Sequence, residues 1–187
     1  MKTMHLCLLI SMLILLVGCG PGSGVEGMNG QGQDDGSMEN ANDTEPEIVG
    51  YVVKSEGGKM LVVSSEPQDF SATGGLEEFY NAVWVSDVQE KVHIGEKVKV
   101  WFEGPILESY PAQATAEKVL ILPSTQPEGA DLTEAQAIEK ALDMKENGDE
   151  GVLAIKAVHY DPQTDKWEIL MIDTFEYEEY TIQIDDE

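Results

Sequence analysis

Side chains with chemical capacity are sparse in this chain and do not cluster. The 187 residues hold three His and two Cys. His5 falls in an N-terminal apolar run, which leaves His93 and His159. These two lie in different candidate domains, so no His pair has metal-ligand spacing. His93 precedes a turn and His159 sits near a strand end, where surface or structural roles are expected. A Ser-His-Asp hydrolase would need a nucleophile elbow, and no Gly-x-Ser-x-Gly is present. There is no phosphate loop and no dinucleotide fingerprint. The residue pattern therefore nominates no catalytic residue, no metal site and no cofactor, and predicts a protein that is not an enzyme.

Carboxylates are the exception to this sparseness. Asp and Glu number 36 against 11 Lys, with no Arg, for a formal net charge of −25. Affinity for phosphates is built from Lys and Arg, so nucleic acid is excluded as a partner. Residues 124–187 carry 18 acids against 4 Lys, whereas residues 48–123 carry 11 against 6. Carboxylate oxygens suit hard cations such as calcium. The runs Glu176-Tyr177-Glu178-Glu179 and Asp185-Asp186-Glu187, and the pair Asp161 and Asp165, do not follow the calcium-loop pattern. They are expected to form a solvated acidic face.

Two tryptophans define the best candidate for binding. Trp84 and Trp101 lie on predicted strands, on the face opposite their Val neighbours. An outward Trp can stack on a sugar or a peptide, or be covered by a nearby loop. Glu108-Ser109-Tyr110 follows the second of these strands. Trp84, Trp101, Glu108, Ser109 and Tyr110 are therefore the candidate binding rim. The alternative for Glu108 to Pro111 is a turn that redirects the chain.

The elements that must position these residues begin with a targeting signal. Lys2 precedes an apolar run from Met4 to Val17, too short for the roughly 20 residues of a permanent span. It has the form of a secretory signal peptide. The run ends in Leu16-Val17-Gly18-Cys19, which resembles the lipobox of bacterial lipoproteins. The resemblance implies cleavage between Gly18 and Cys19. It also implies a diacylglyceryl group on Cys19, with acyl chains such as palmitate that hold the protein to the membrane. Residues 1–18 are then signal, and residues 19–47 an acylated cysteine on an acidic tether. Low hydrophobicity with net charge predicts that the tether is flexible.

Residues 48–123 read as five short strands. They are Ile48 to Val53, Lys59 to Val63, Ala82 to Val85, Lys97 to Phe102 and Ala114 to Leu122. Glu56-Gly57-Gly58 is a hairpin turn, residues 66–80 a long loop, and Ile94-Gly95-Glu96 a turn. Val98, Val100 and Phe102 share one face, with Lys97, Lys99 and Trp101 on the other. This pattern predicts a small β barrel of the OB type. Gly50-Tyr51-Val52, Ala82-Val83-Trp84-Val85-Ser86, Ile94 to Trp101 and Glu108-Ser109-Tyr110-Pro111 together resemble the YobA-like domain of unknown function. That family implies an OB-like barrel on a lipoprotein of Gram-positive bacteria, and no catalytic residues.

Residues 124–130 read as a linker, and residues 131–187 as a small acidic α+β module. Thr133 with Gln136 forms a capping box that opens a helix. Ile138, Ala141 and Leu142 give its apolar stripe, and Asn147-Gly148 ends it. Strands follow at Val152 to His159, Lys166 to Asp173 and Tyr180 to Ile184, with a turn at Asp161 to Asp165. Leu132 to Ile138, Tyr160-Asp161 with Trp167, and Tyr180-Thr181-Ile182 resemble the layout of a PepSY-type domain. That resemblance implies peptidase inhibition or regulation of a protein partner in the envelope. The sequence thus predicts an extracytoplasmic protein, lipid-anchored at the outer face of the cytoplasmic membrane, that binds an envelope protein or peptide. The alternative is binding of cations or cell-wall ligands through the acidic module or the barrel face.

Overall fold

A computed structural model describes residues 45–146 and 151–187. Gly18 and Cys19, the signal, most of the tether and the Asn147-Gly148 helix stop lie outside the described residues.

Five strands close into a barrel in the order β1-β2-β3-β5-β4. They are β1 (Ile48–Glu56), β2 (Lys59–Ser64), β3 (Ala82–Ser86), β4 (Lys97–Leu107) and β5 (Ala112–Ile121). β4 pairs with both β5 and β1, which closes the ring, and all pairs are antiparallel except β3 with β5. Two strands, β2 and β3, end one residue beyond the sequence reading, and the other three differ by more. β1 runs on to Glu56, β4 reaches Leu107, and β5 starts at Ala112. β4 passes Gly104 and Pro105 because its register with β5 jumps between Glu103 and Leu107. Gly104 takes φ 73 in that irregularity. A bulge frees a strand from pairing there, so a residue without an N–H is tolerated.

The barrel interior is filled by one residue in two from each strand. Val52, Met60, Val62, Val83, Val85, Val98, Val100 and Val119 form its core. β branching suits these side chains to a pleated, packed face. Phe102, past a second register shift, packs against the same core while half-buried.

The second part is helix α1 (Glu134–Glu146) followed by the antiparallel meander β6 (Leu153–Asp161), β7 (Lys166–Asp173) and β8 (Glu179–Asp185). The capping box forms as expected. The Gln136 N–H donates to Thr133 Oγ1 at 3.3 Å, and the Thr133 N–H donates to Gln136 Oε1 at 2.8 Å. Ala137, Ile138, Ala141 and Leu142 are buried against Trp167, Ile169 and Met171.

Sequence alone leaves open whether the two parts touch. They share a core. Tyr51, Val53, Leu61, Val63 and Ala82, from the outside of β1, β2 and the start of β3, with Tyr80 at the end of the 66–80 loop, join the same buried cluster as α1 and the meander. This explains why Tyr51-Val52-Val53 and Leu61-Val62-Val63 are apolar at every position, since both faces of these strands are covered. Polar contacts line the same seam. The Tyr51 hydroxyl donates to Glu134 Oε1 at 2.8 Å, and Lys156 pairs with Glu78 and Glu179 at 2.6 Å each. Gly95 is required there twice over. Its φ is 87, and a Cβ would overlap the carbonyl of Ala135 on α1. The turn that the sequence places at Gly95 is thus also the point where the helix docks.

Candidate functional site

A groove of about 360 Å³ opens on the outside of the barrel. Lys59 enters from the start of β2, Trp84 and Ser86 from β3, and Glu103, Pro105 and Leu107 from the irregular half of β4. Gln113 and Thr115 of β5 complete the wall. Strand alternation puts Val83 and Val85 inside, so Trp84 must face out. In register it lies between Leu61 of β2 and Gln113 of β5. The Trp84 indole is half-buried and packs on the core shared with the second part, which fixes one side of it. Ser86 Oγ donates to the Ala114 carbonyl at 3.2 Å and holds β3 to β5 at the groove. The site thus offers one apolar plate surrounded by a cation, a carboxylate, an amide and hydroxyls.

The five residues proposed from sequence do not converge on this groove. Trp84 alone of them lines it. Trp101 pairs with Lys118 on β5, whereas Trp84 pairs with Gln113. Five positions along a strand separate the two by about 17 Å. Trp101 is only 8% exposed and lies under the Lys118 ammonium, 4.4 Å from the ring centre. It is therefore covered and offers no open platform. Glu108 is exposed, outside the groove lining. Ser109 Oγ donates to the Pro111 carbonyl at 2.7 Å, within the β4–β5 connection. Tyr110, before a cis Pro111, is half-buried and donates to the Tyr80 carbonyl at 3.0 Å. Burial raises its pKa. At the end of the 66–80 loop Phe79 stacks on Tyr110, with ring centres 5.7 Å apart, and Tyr80 joins the buried cluster against which Trp84 packs.

Sequence reasoning missed Leu107, Gln113 and Thr115. Leu107 is 62% exposed. The available signal is the apolar pair Ile106-Leu107 directly after Gly104-Pro105, where a turn should be polar.

The acidic runs also resolve into individual roles. Asp186, read from sequence as part of a solvated face, is buried. Its carboxylate accepts from the Asp131 N–H at 2.6 Å, the Leu132 N–H at 2.9 Å and the Trp167 indole N–H at 2.9 Å. Burial works to raise its pKa, but these donors outweigh it and hold the carboxyl below the ordinary value. Charge-assisted bonds of this kind are strong enough to do so. Asp161 and Asp165 shape the β6–β7 turn. Asp161 accepts from the Gln163 N–H and the Thr164 hydroxyl, and Asp165 accepts from the Tyr160 hydroxyl at 2.8 Å. That bond, with burial, pushes the Tyr160 pKa up to about 12. Among the described residues no group of three or more His, Cys, Asp or Glu is placed to hold a metal ion. No helix among them is long and apolar enough to cross a membrane.

Residues 49–123 match the family model described as "Protein of unknown function (DUF3221)". The match covers the barrel and ends at its last strand, so the groove lies wholly within the matched segment. It is also the interval that carries the YobA-like resemblance. No curated protein and no solved structure matches the chain.

Proposed function

We propose that this protein is a non-enzymatic binding module of the cell envelope, anchored at the outer face of the cytoplasmic membrane through diacylglyceryl-modified Cys19. The barrel is of the OB type, and the α+β part keeps its PepSY-like reading. Its Trp84 groove takes an extended protein or peptide segment. One observation carries the reading: the groove lies on the barrel wall between the start of β2 at Lys59 and the irregular end of β4 at Pro105 and Leu107, with β3 and β5 between them. OB barrels bind extended ligands on the strand 2–3 face, from which Lys59, Trp84 and Ser86 enter this groove. The strand order β1-β2-β3-β5-β4 supports the same assignment. A closed barrel has no free edge to extend, so a ligand is gripped by side chains, with the indole as anchor.

A photo-cross-linker at Leu107 in the anchored protein, in intact cells, tests this. One reproducible protein or peptide adduct is expected, and Trp84→Ala should lower its yield about tenfold, as for loss of an interface anchor. No adduct, or an adduct that Trp84→Ala leaves unchanged, overturns the assignment. A wall glycan is a second reading, favoured by the polar groups of Ser86, Glu103, Gln113 and Thr115 around an aromatic plate. It predicts that the adduct is carbohydrate.

A further inference from the structure

A second surface, which shares no lining residue with the Trp84 groove, has the chemistry of a docking site. It is built from the 66–80 loop, the β4–β5 connection and the β7–β8 turn. Four rings stack edge to face or tilted across all three. Phe70 meets Phe79 at 5.6 Å, Phe79 meets Tyr110 at 5.7 Å, and Tyr110 meets Phe175 at 5.4 Å between centres. The middle of the ladder is half-buried, but its ends are open: Phe70 is 42% exposed and Phe175 50% exposed. Leu76 lies beside Phe70, whose N–H donates to the Leu76 carbonyl. Tyr177 lies in the same turn as Phe175. Half of the eight exposed large hydrophobics among the described residues therefore fall in one loop and one turn joined by an aromatic ladder. Scattered exposed apolar side chains need no explanation, whereas a contiguous group in a polar frame marks an interaction surface.

The frame says what kind of partner fits. Glu66, Asp69, Glu77, Glu176 and Glu178 are exposed around these rings, and neither turn contains a Lys. The nearby Lys156 is engaged by Glu78 and Glu179. A fixed anionic rim repels an anionic lipid surface and attracts cations. The turns are held rigidly, since the Asp173 carboxylate accepts from the Phe175 and Glu176 N–H groups at 2.7 and 3.0 Å. Asp69 accepts from the Ser71 N–H at 2.8 Å. The apolar side chains are thus presented at little ordering cost, as an anchor patch requires.

We propose that this aromatic ladder docks a cationic amphipathic polypeptide segment, its apolar side chains between Phe70 and Phe175 and its Lys or Arg on the acidic rim. This surface is separate from the Trp84 groove and stands without that reading.

The test uses the full chain in detergent and a fluorescently labelled synthetic peptide of Lys and Leu. A peptide with Ser for every Leu serves as the control. We expect saturable binding of the Lys–Leu peptide, and binding of the Lys–Ser peptide weaker by at least about tenfold. Phe70→Ala with Phe175→Ala should cost about tenfold or more, and Glu77→Lys with Glu176→Lys a similar factor that added salt diminishes. Trp84→Ala should leave the affinity unchanged. If the Phe pair lowers the melting temperature, Leu76→Ser with Tyr177→Ser supplies the same loss of apolar contact. Equal binding of both peptides, unchanged affinity in the variants or loss with Trp84→Ala overturns the proposal. So does capture by neutral vesicles that Phe175→Ala abolishes, or self-association of the chain that the same change abolishes.

Discussion

Asp186 is the residue on which most backbone order in the acidic part converges. It joins the end of the chain to Asp131 and Leu132 just ahead of α1, and to the buried Trp167 of β7. Three donors on one carboxylate satisfy groups that would otherwise be buried without partners. Its pKa is lowered, so its contribution is present at neutral pH and is lost as pH falls from the ordinary 3.8 through the folded value. Asp186→Asn should lower the melting temperature at pH 7, because the amide presents a donor to at least one N–H. The gap to the parent should narrow as pH falls below the ordinary carboxylate range, where Asp186 itself protonates. Thermal melts across that range measure both. At the alkaline end the sign reverses. The Tyr160 pKa is raised to about 12, so its contribution is present below the ordinary 10.0 and is lost as pH rises towards 12. Absorbance titration of Tyr160→Phe should remove one late-ionising phenol.

Helix α1 stands or falls with its first turn and the glycine it rests on. Replacing Thr133 with Ala removes the acceptor for the Gln136 N–H and should cost about 1 kcal/mol in denaturant unfolding. Gly95→Ala is predicted to cost more than Thr133→Ala. It combines a positive φ with overlap between the new methyl and the Ala135 carbonyl. Serine at 95 should be no better than alanine, because any Cβ meets the same backbone. The capping box was legible in the sequence because it is a local pattern of Thr133 and Gln136. The demand on Gly95 was legible only as a turn, because the helix that crowds it lies forty residues away in sequence.

The barrel and the α+β part behave as one packed body in their energetics. The outer faces of β1 and β2 are buried by residues from β6, β7 and α1. Leu61, 3% exposed, should therefore destabilise both parts together when changed to Ala, by about 2–5 kcal/mol. Barrel and module probes, such as Trp101 and Trp167 fluorescence, should report one coincident unfolding transition. Residues 48–123 alone would expose Tyr51, Val53, Leu61, Val63, Tyr80 and Ala82. That fragment should bind a hydrophobic dye and lose the cooperative melt. Two separate transitions in the intact chain would contradict the shared core.

Periodicity and local chemistry carry five barrel strands, a capped helix, a three-strand meander and the outward side of Trp84. These follow from alternation, caps and turns, which act within a few residues. Which of the candidate binding residues meet is set instead by packing between distant segments. Trp84 and Trp101 alternate alike but sit on different stretches of the barrel wall, so one opens on a groove and the other is covered. Glu176 and Asp186 are both members of acidic runs, yet one stays in solvent while three N–H donors draw the other inside. Burial and proximity depend on partners brought from the far ends of the chain, and composition along a short window does not encode which partners arrive.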